Sequence, residues 1–409
     1  MLTPPPLLYT SPWSIMHLTH LTLTNFRGFQ QLELPIHRHL TVLVGRNGSG
    51  KTSVLDAIAL PIRQVKNLKV SGKQDIRRGE KNASIQQHWG PSVHLRWDCT
   101  KQHGWNPGAD IPMGIESVYF VQRSLDRAAA GEALSTARRA FLAQHAEQYP
   151  SEQTGFKSYE ILVGWFRERE DIENRERVRR KDLGYLDPPL EAARRAIVGF
   201  LGEGYGNPRI EHEGDETLLV IDKGGEALSG AQLSDGERSL VVIAGDLARQ
   251  LAGAVAEGDP LNSYALVLID EIELHLHPSW QRRIVPALRE TFPEAQFILS
   301  THSPQVLSEV PAESLRILEN FTCLSPQHPV RGRDANAILR EIMGTTERPR
   351  FVEDMILDFS RLLDEANFSE AHERLDGLRE LLGDTDSEVI RAEVALSFLE
   401  QGGEHGGPS

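Results

Sequence analysis

An α/β fold is predicted: a mixed sheet with flanking antiparallel strands, an inserted helical lid or arm, and a helical C-terminal appendage. Three observations carry it. First, the apolar run Leu40-Thr41-Val42-Leu43-Val44 passes into Gly45-Arg46-Asn47-Gly48-Ser49-Gly50-Lys51-Thr52 and then Ser53-Val54-Leu55-Asp56-Ala57-Ile58, the order strand, glycine loop, helix. Second, the unbroken apolar run over 265–269 and the segment Gln296-Phe297-Ile298-Leu299-Ser300 read as buried strands, each delivering polar residues at its end. Third, helical periodicity dominates 141–201 and 351–400.

The bulk properties narrow the class. A chain of 409 residues exceeds one ordinary core, so one large domain with insertions, or two domains, is expected. No apolar run approaches the ~20 residues of a membrane span, and no signal-peptide pattern opens the chain. Cys99 and Cys323 lack metal-ligand spacing and suit a reducing, cytoplasmic setting. The net charge is −14, but residues from 351 onward hold 15 acidic side chains against 4 arginines. The acidity is therefore mostly a property of the tail, and nucleic-acid binding by the N-terminal part stays open.

In chain order, the proline-rich residues 1–15 are expected to be disordered, with Met16 a candidate start. Leu18, Leu21 and Leu23 mark a strand running to Asn25-Phe26-Arg27-Gly28-Phe29, and Leu32 and Leu34 mark its antiparallel neighbour. Arg63, Lys66, Lys69, Lys73, Arg77, Arg78 and Lys81 form a basic stretch, read as a solvated surface ahead of a phosphate-backbone contact. Strands are expected over 93–97 and 117–121, the second leading into Gln122-Arg123. The charged run 165–177 reads as an exposed helix, stopped near Asp187-Pro188-Pro189. A hairpin over 209–211 and 217–221 turns at Gly214; a helix over 239–251 follows Leu233-Ser234-Asp235-Gly236-Glu237-Arg238, and another starts at Ser279. The tail breaks near Asn367-Phe368 and Gly383-Asp384. The expected domain plan is 1–15 disordered, 16–140 N-terminal lobe, 141–205 helical insertion, 206–345 C-terminal lobe, 346–402 helical appendage and 403–409 disordered tail.

The glycine loop fits the phosphate-binding pattern G-x-x-x-x-G-K-[ST]: its backbone can approach phosphates, and the amides opening the next helix point at them. Lys51 would reach the terminal phosphates and Thr52 would offer a hydroxyl to Mg²⁺. The strand over 265–269 ends in Asp270-Glu271, placing Asp270 for the Mg²⁺ shell and Glu271 to polarise water. The strand over 296–300 ends in Thr301-His302, which sets His302 toward a γ-phosphate.

Together, Asn47-Gly48-Ser49-Gly50-Lys51-Thr52, Leu233-Ser234-Asp235-Gly236-Glu237, Leu268-Ile269-Asp270-Glu271 and Ser300-Thr301-His302-Ser303 resemble the Walker A, signature, Walker B and switch-histidine motifs of ABC-type ATPases. Leu23-Thr24-Asn25-Phe26-Arg27-Gly28-Phe29 and Glu271-Ile272-Glu273-Leu274-His275-Leu276-His277-Pro278 are similar to the recombination-repair and overcoming-lysogenization-defect branch. The resemblance implies an ABC-type P-loop ATPase head that takes ATP and Mg²⁺, with hydrolysis that can be slow and regulatory. It adds Asn47, Gly48, Ser49, Gly50, Ser53, Arg27 and Glu237 to the nucleotide contacts. It has Ser234 and Gly236 complete the site of a second subunit, and it makes Gln122 a nucleotide and Mg²⁺ ligand. Asp235 stands where the usual motif has glycine, a departure common in this branch. His275 and His277 fall in its dimer-contact loop, a reading preferred to a metal site.

A narrower resemblance rests on Arg331-Gly332-Arg333-Asp334-Ala335-Asn336-Ala337-Ile338-Leu339, Met343-Gly344-Thr345-Thr346-Glu347-Arg348-Pro349, the charged helix and the tail. These are similar to the ATPase component of Septu anti-phage systems, which some retrons also use. That implies a homodimer or higher oligomer controlling a separate HNH nuclease, with DNA, tRNA or retron RNA/DNA as a further candidate partner and no membrane. The alternative is a DNA-repair clamp closing on duplex DNA in an ATP-dependent dimer. Asp384-Thr385-Asp386 has a nuclease-like spelling but follows a helical run, and reads as a polar turn.

Overall fold

The computed structural model describes residues 17–65, 73–91, 93–101, 104–107, 119–124, 154–214, 216–254, 258–274, 276–326, 328–346 and 348–404. The expected disordered start, Met16, Lys66, Lys69 and His275 lie outside them, and the chain divides into two compact units, 1–338 and 339–409. No described helix is long and apolar enough to cross a membrane.

Among the described residues of the first unit the strands form three sheets. An antiparallel sheet is built from β1 (Leu18–Phe26), β2 (Phe29–Pro35), β4 (Asn82–Trp89), β5 (Val93–Thr100) and β6 (Gly104–Pro107), in the order β2-β1-β4-β5-β6. A mostly parallel sheet runs β14-β13-β3-β12-β11-β7, from β3 (Leu40–Val44), β7 (Tyr119–Ser124), β11 (Ala265–Asp270), β12 (Gln296–Thr301), β13 (Leu315–Glu319) and β14 (Thr322–Leu324). A small third sheet holds β8 (Tyr205–Glu213), β9 (Glu216–Lys223) and β10 (Glu226–Ser229), turning at Gly214 with φ of 60°. The hydrophobic core fills the space between the antiparallel sheet, helix α1 (Lys51–Val65) and the parallel sheet: Phe26, Phe29, Val54, Ile58, Trp89, Trp97, Leu266 and Ile298 are all buried in it.

β3, β11 and β12 are mostly apolar and buried along almost their whole length because both their faces are covered. β4 has a less regular reason to exist. Pro61 has no backbone N–H to give the Ala57 carbonyl one turn earlier in α1. The fully buried Gln87 of β4 donates its amide to that carbonyl at 3.3 Å and to Ile58 O at 3.1 Å.

The arm differs from expectation at its bend. Helix α2 (Thr154–Arg180) ends before the prolines, and Pro188-Pro189 open α3 (Pro188–Leu201) with Asp187 as its cap, accepting from Leu190 N. Proline suits the first turn of a helix, where its missing N–H would have no partner. Glu173, 2% exposed, locks the bend by accepting from Asp187 N at 2.8 Å while pairing with Arg177 and Arg194.

Helix α4 (Asp235–Ala254) starts earlier than expected, for a reason given below. Helices α5 (Pro278–Thr291), α6 (Pro304–Leu307) and α7 (Ala335–Glu341) complete the head. The second unit packs α8 (Arg350–Asp364), α9 (Phe368–Leu382) and α10 (Ser387–Glu404) around Phe359, Leu375, Leu378, Val389 and Leu396. Its breaks fall where the periodicity breaks, while α10 runs past residue 402. Asp386 lies in the turn between α9 and α10 and accepts from Arg348 at 2.9 Å, closing an ion pair.

Candidate nucleotide site

The parallel sheet delivers three strand ends to one place. β3 pairs with β12 and β12 with β11, in parallel register, so Val44, Thr301 and Asp270 end neighbouring strands. Ligands of open α/β sheets sit outside such carboxyl ends.

The glycine loop is shaped for close approach. Gly45, Gly48 and Gly50 have φ of 157°, 82° and 100°, and a Cβ at Gly48 would meet nothing within 4 Å. At Gly50 a Cβ would lie 2.4 Å from Phe29 Cζ, so packing behind the loop forbids any other residue. Ser49 Oγ is buried without a hydrogen-bond partner, a polar atom that a phosphate oxygen would satisfy. Lys51, 6% exposed, donates to Gly45 O at 2.9 Å and Arg46 O at 3.2 Å. Burial lowers its pKa, opposed by Asp270, Glu271 and Glu273. Asn47 and Gly48 are exposed at the loop's crest. These features fit a bound nucleoside triphosphate.

The acidic side is wired to the loop. Thr52 Oγ1 donates to Asp270 Oδ2 at 2.8 Å, so the hydroxyl and carboxylate assigned to Mg²⁺ stand together. Ser300 Oγ donates to Asp270 Oδ1 and accepts from Glu271 N at 2.8 Å. Glu271 is exposed and has φ of 53°, an unusual conformation for a non-glycine residue that turns the chain sharply off β11. Glu273 accepts from Thr301 Oγ1 at 2.7 Å and from His302 N at 2.5 Å. Burial, then the Lys51 charge, lower the His302 pKa, opposed by Glu273, Glu271 and Asp270.

Sequence reasoning quoted Ser300 and Glu273 without giving either a role. Their effect is to fix the backbones that carry Glu271 and His302. An acidic residue two positions beyond the acidic pair was the available signal.

Other expected contacts lie at the margins. Arg27, φ 49°, reaches Ser53 Oγ at 3.5 Å, but its guanidinium is held by Asp56 at 2.8 Å and Asp75 at 2.9 Å. Burial acts against its charge, and those two carboxylates outweigh it, raising the pKa. Gln122 lies on β7 level with Leu268 of β11, with its side chain outside the described structure. His277 caps α5, its Nδ1 lying 2.9 Å from Ser279 Oγ.

The Ser234 region forms a separate group. Ser234 Oγ accepts from Glu237 N at 3.3 Å, while Glu237 Oε2 accepts from Ser234 N and Oγ, both at 2.7 Å. This reciprocal capping box explains why α4 begins at Asp235. Glu237, expected at the nucleotide, hydrogen-bonds through its carboxylate to Ser234, to Lys223 at 2.7 Å and to the Tyr205 hydroxyl. Burial would raise its pKa, but the Lys223, Tyr205 and Ser234 hydrogen bonds together bring it down to about 2. Ser234 itself is exposed, and Gly236 is buried.

Residues 17–320 match the RecF/RecN/SMC N terminal domain. The Retron Ec83 probable ATPase of Escherichia coli is 26% identical over 82% of this chain and 77% of that protein. Septu protein PtuA of Bacillus thuringiensis is 22% identical over 88% of this chain and 93% of its own length. Among solved structures, the SmcHead bound to the C-winged helix domain of ScpA overlays with a TM-score of 0.47 at 16% identity, over 76% of this chain and 98% of that one.

Proposed function

The chain belongs to the RecF/RecN/SMC N terminal domain family and is an ATPase with an ABC-type head, and on that footing we propose that it is the ATP-sensing subunit of an anti-phage defence complex. It controls a separate HNH nuclease through nucleotide-dependent assembly. The observation that carries this reading is the 88% of this chain covered by Septu protein PtuA, a match that extends beyond the head.

In this reading the loop amides and Lys51 bind the phosphates, and Thr52 and Asp270 hold Mg²⁺, which when bound neutralises phosphate charge. Glu271 orients the attacking water, and His302 offers its N–H to the γ-phosphate. Ser234 and Gly236, at the N-terminus of α4, complete the site of a second copy, where helix amides favour an anion. Hydrolysis then separates the two heads, and the partner reads that change.

Native mass of the complex co-expressed with an adjacent HNH protein, with and without ATP, tests this. A nucleotide-dependent change in assembly is expected. Failure to assemble, with phage restriction unaffected by deleting the HNH gene, would sink it. ATP-dependent, salt-sensitive binding to duplex DNA by the ATPase alone would favour the repair-clamp reading.

A further inference from the structure

A hairpin at the edge of the parallel sheet leans on the phosphate loop in an unusual conformation. β13 and β14 pair Glu319 with Thr322, joined by Asn320-Phe321 with φ of 49° and 60°. Two-residue hairpin turns with both φ positive favour asparagine followed by glycine. Asparagine is present here, but phenylalanine occupies the glycine position, and a bulky residue with positive φ is an outlier that calls for a reason.

Burial is a poor reason, since Phe321 stays 38% exposed. Its ring is nevertheless held firmly. A Cβ at Gly28 would lie 2.1 Å from Phe321 Cε1, so the ring rests directly on the backbone of the Arg27-Gly28 turn. Phe29 meets it edge to face, with centroids 5.3 Å apart, and Phe29 is the ring packed behind Gly50. At the other end of the loop a Cβ on Gly45 would lie 2.3 Å from Leu318 O. The hairpin is thus keyed to both ends of the loop, and it presents an anchored, half-open aromatic face one ring away from Gly50.

We propose that Phe321 is the platform on which the base of the bound nucleotide stacks. The proposal rests on reading residues 45–52 as the nucleotide phosphate site, and it adds a base subsite to them. An aromatic face accepts any nucleobase and gains most from a purine. Phe29 braces the ring edge to face, and the smallness of Gly28 allows it to rest against the turn.

Titration of the full-length protein with ATP and with inorganic triphosphate separates base from phosphate. Phe321→Gly relieves the backbone, so its thermal midpoint should equal or exceed the wild type. Its ATP affinity should fall roughly fivefold or more, the scale of one base–aromatic stack, with triphosphate affinity unchanged. Phe321→Trp should keep ATP affinity and add a fluorescence change, over the six native tryptophans, that ATP produces and triphosphate does not. Unchanged ATP affinity in the glycine variant would overturn the proposal. So would equal weakening of ATP and triphosphate, because Phe321 would then only prop the loop. If triphosphate fails to bind the wild type, the phosphate-site reading itself falls and takes the base subsite with it.

Discussion

The two proposed halves of the nucleotide site are built in opposite ways. At the phosphate loop, side chains from two strands, one helix and the turn after β11 contact one another: Thr52 to Asp270, Asp270 to Ser300, Glu273 to Thr301. At the signature helix, Ser234 and Glu237 satisfy each other within a single turn, backed by Lys223 and Tyr205. The first region is a sheet-borne polar group, held in place by non-local contacts. The second is a local cap that holds an exposed serine and a helix N-terminus toward whatever approaches. Such a division suits a site whose halves come from different copies, because the approaching half must be rigid before contact.

That contrast is best broken at Glu271. Glu271→Gln should lower the ATPase rate by about 10³-fold, within the range for removal of a general base, with ATP binding retained and an ATP-bound dimer accumulating. Single-turnover hydrolysis with sedimentation of the stalled species checks it, and near-normal turnover would remove Glu271 from the mechanism. Lys51→Ala comes next. Losing two charge-assisted phosphate contacts should weaken ATP binding by roughly 100-fold, read by calorimetry. An unchanged affinity would mean the loop does not hold the phosphates.

How far the sequence revealed this machinery depended on whether the interaction was local. β3, β11 and β12 were legible because strands covered on both faces carry an apolar run at their centre, and the polar residues at the ends of β11 and β12 stood out against it. β4 escaped notice because its inward row includes Gln87, buried to serve carbonyls of α1. Arg316, almost fully buried on β13 and donating to Pro35 O at 2.8 Å, disguised that strand in the same way. The prolines at 188 and 189 were misread as a stop, although Asp187 before them is a helix-start signal. Lys51, Asp270 and Glu271 were singled out by spacing. Ser300 was not, since a hydrogen bond between strand ends leaves no local pattern, and Glu273 had for a signal only its place two residues beyond the acidic pair.

Ser234→Ala separates the two regions more finely. Loss of the cap should cost about 1 kcal/mol of stability while ATP affinity of the isolated chain stays unchanged. ATP-dependent dimerisation should weaken, because the exposed hydroxyl is the group offered to the other copy. Light scattering with and without ATP reads this, and full dimerisation by the variant would leave Ser234 only its structural role.

The smallest expected effect concerns Glu237 and follows from its pKa of about 2, against 4.5 as the ordinary value. A carboxylate whose pKa is depressed by folding adds stability that is fully present above its unfolded pKa. That contribution fades as pH falls from about 4.5 to about 2, where the folded protein also takes up the proton. Glu237→Gln should therefore be less stable than wild type at pH 7 and show a shallower loss of stability across that acid window. Lys223, half-exposed, limits the size of the effect through solvent screening. Denaturant midpoints at pH 7, 4.5 and 3 measure the difference. Parallel curves for the two proteins would mean that Glu237 does not hold the cap through its charge, and that the signature helix is rigid for some other reason.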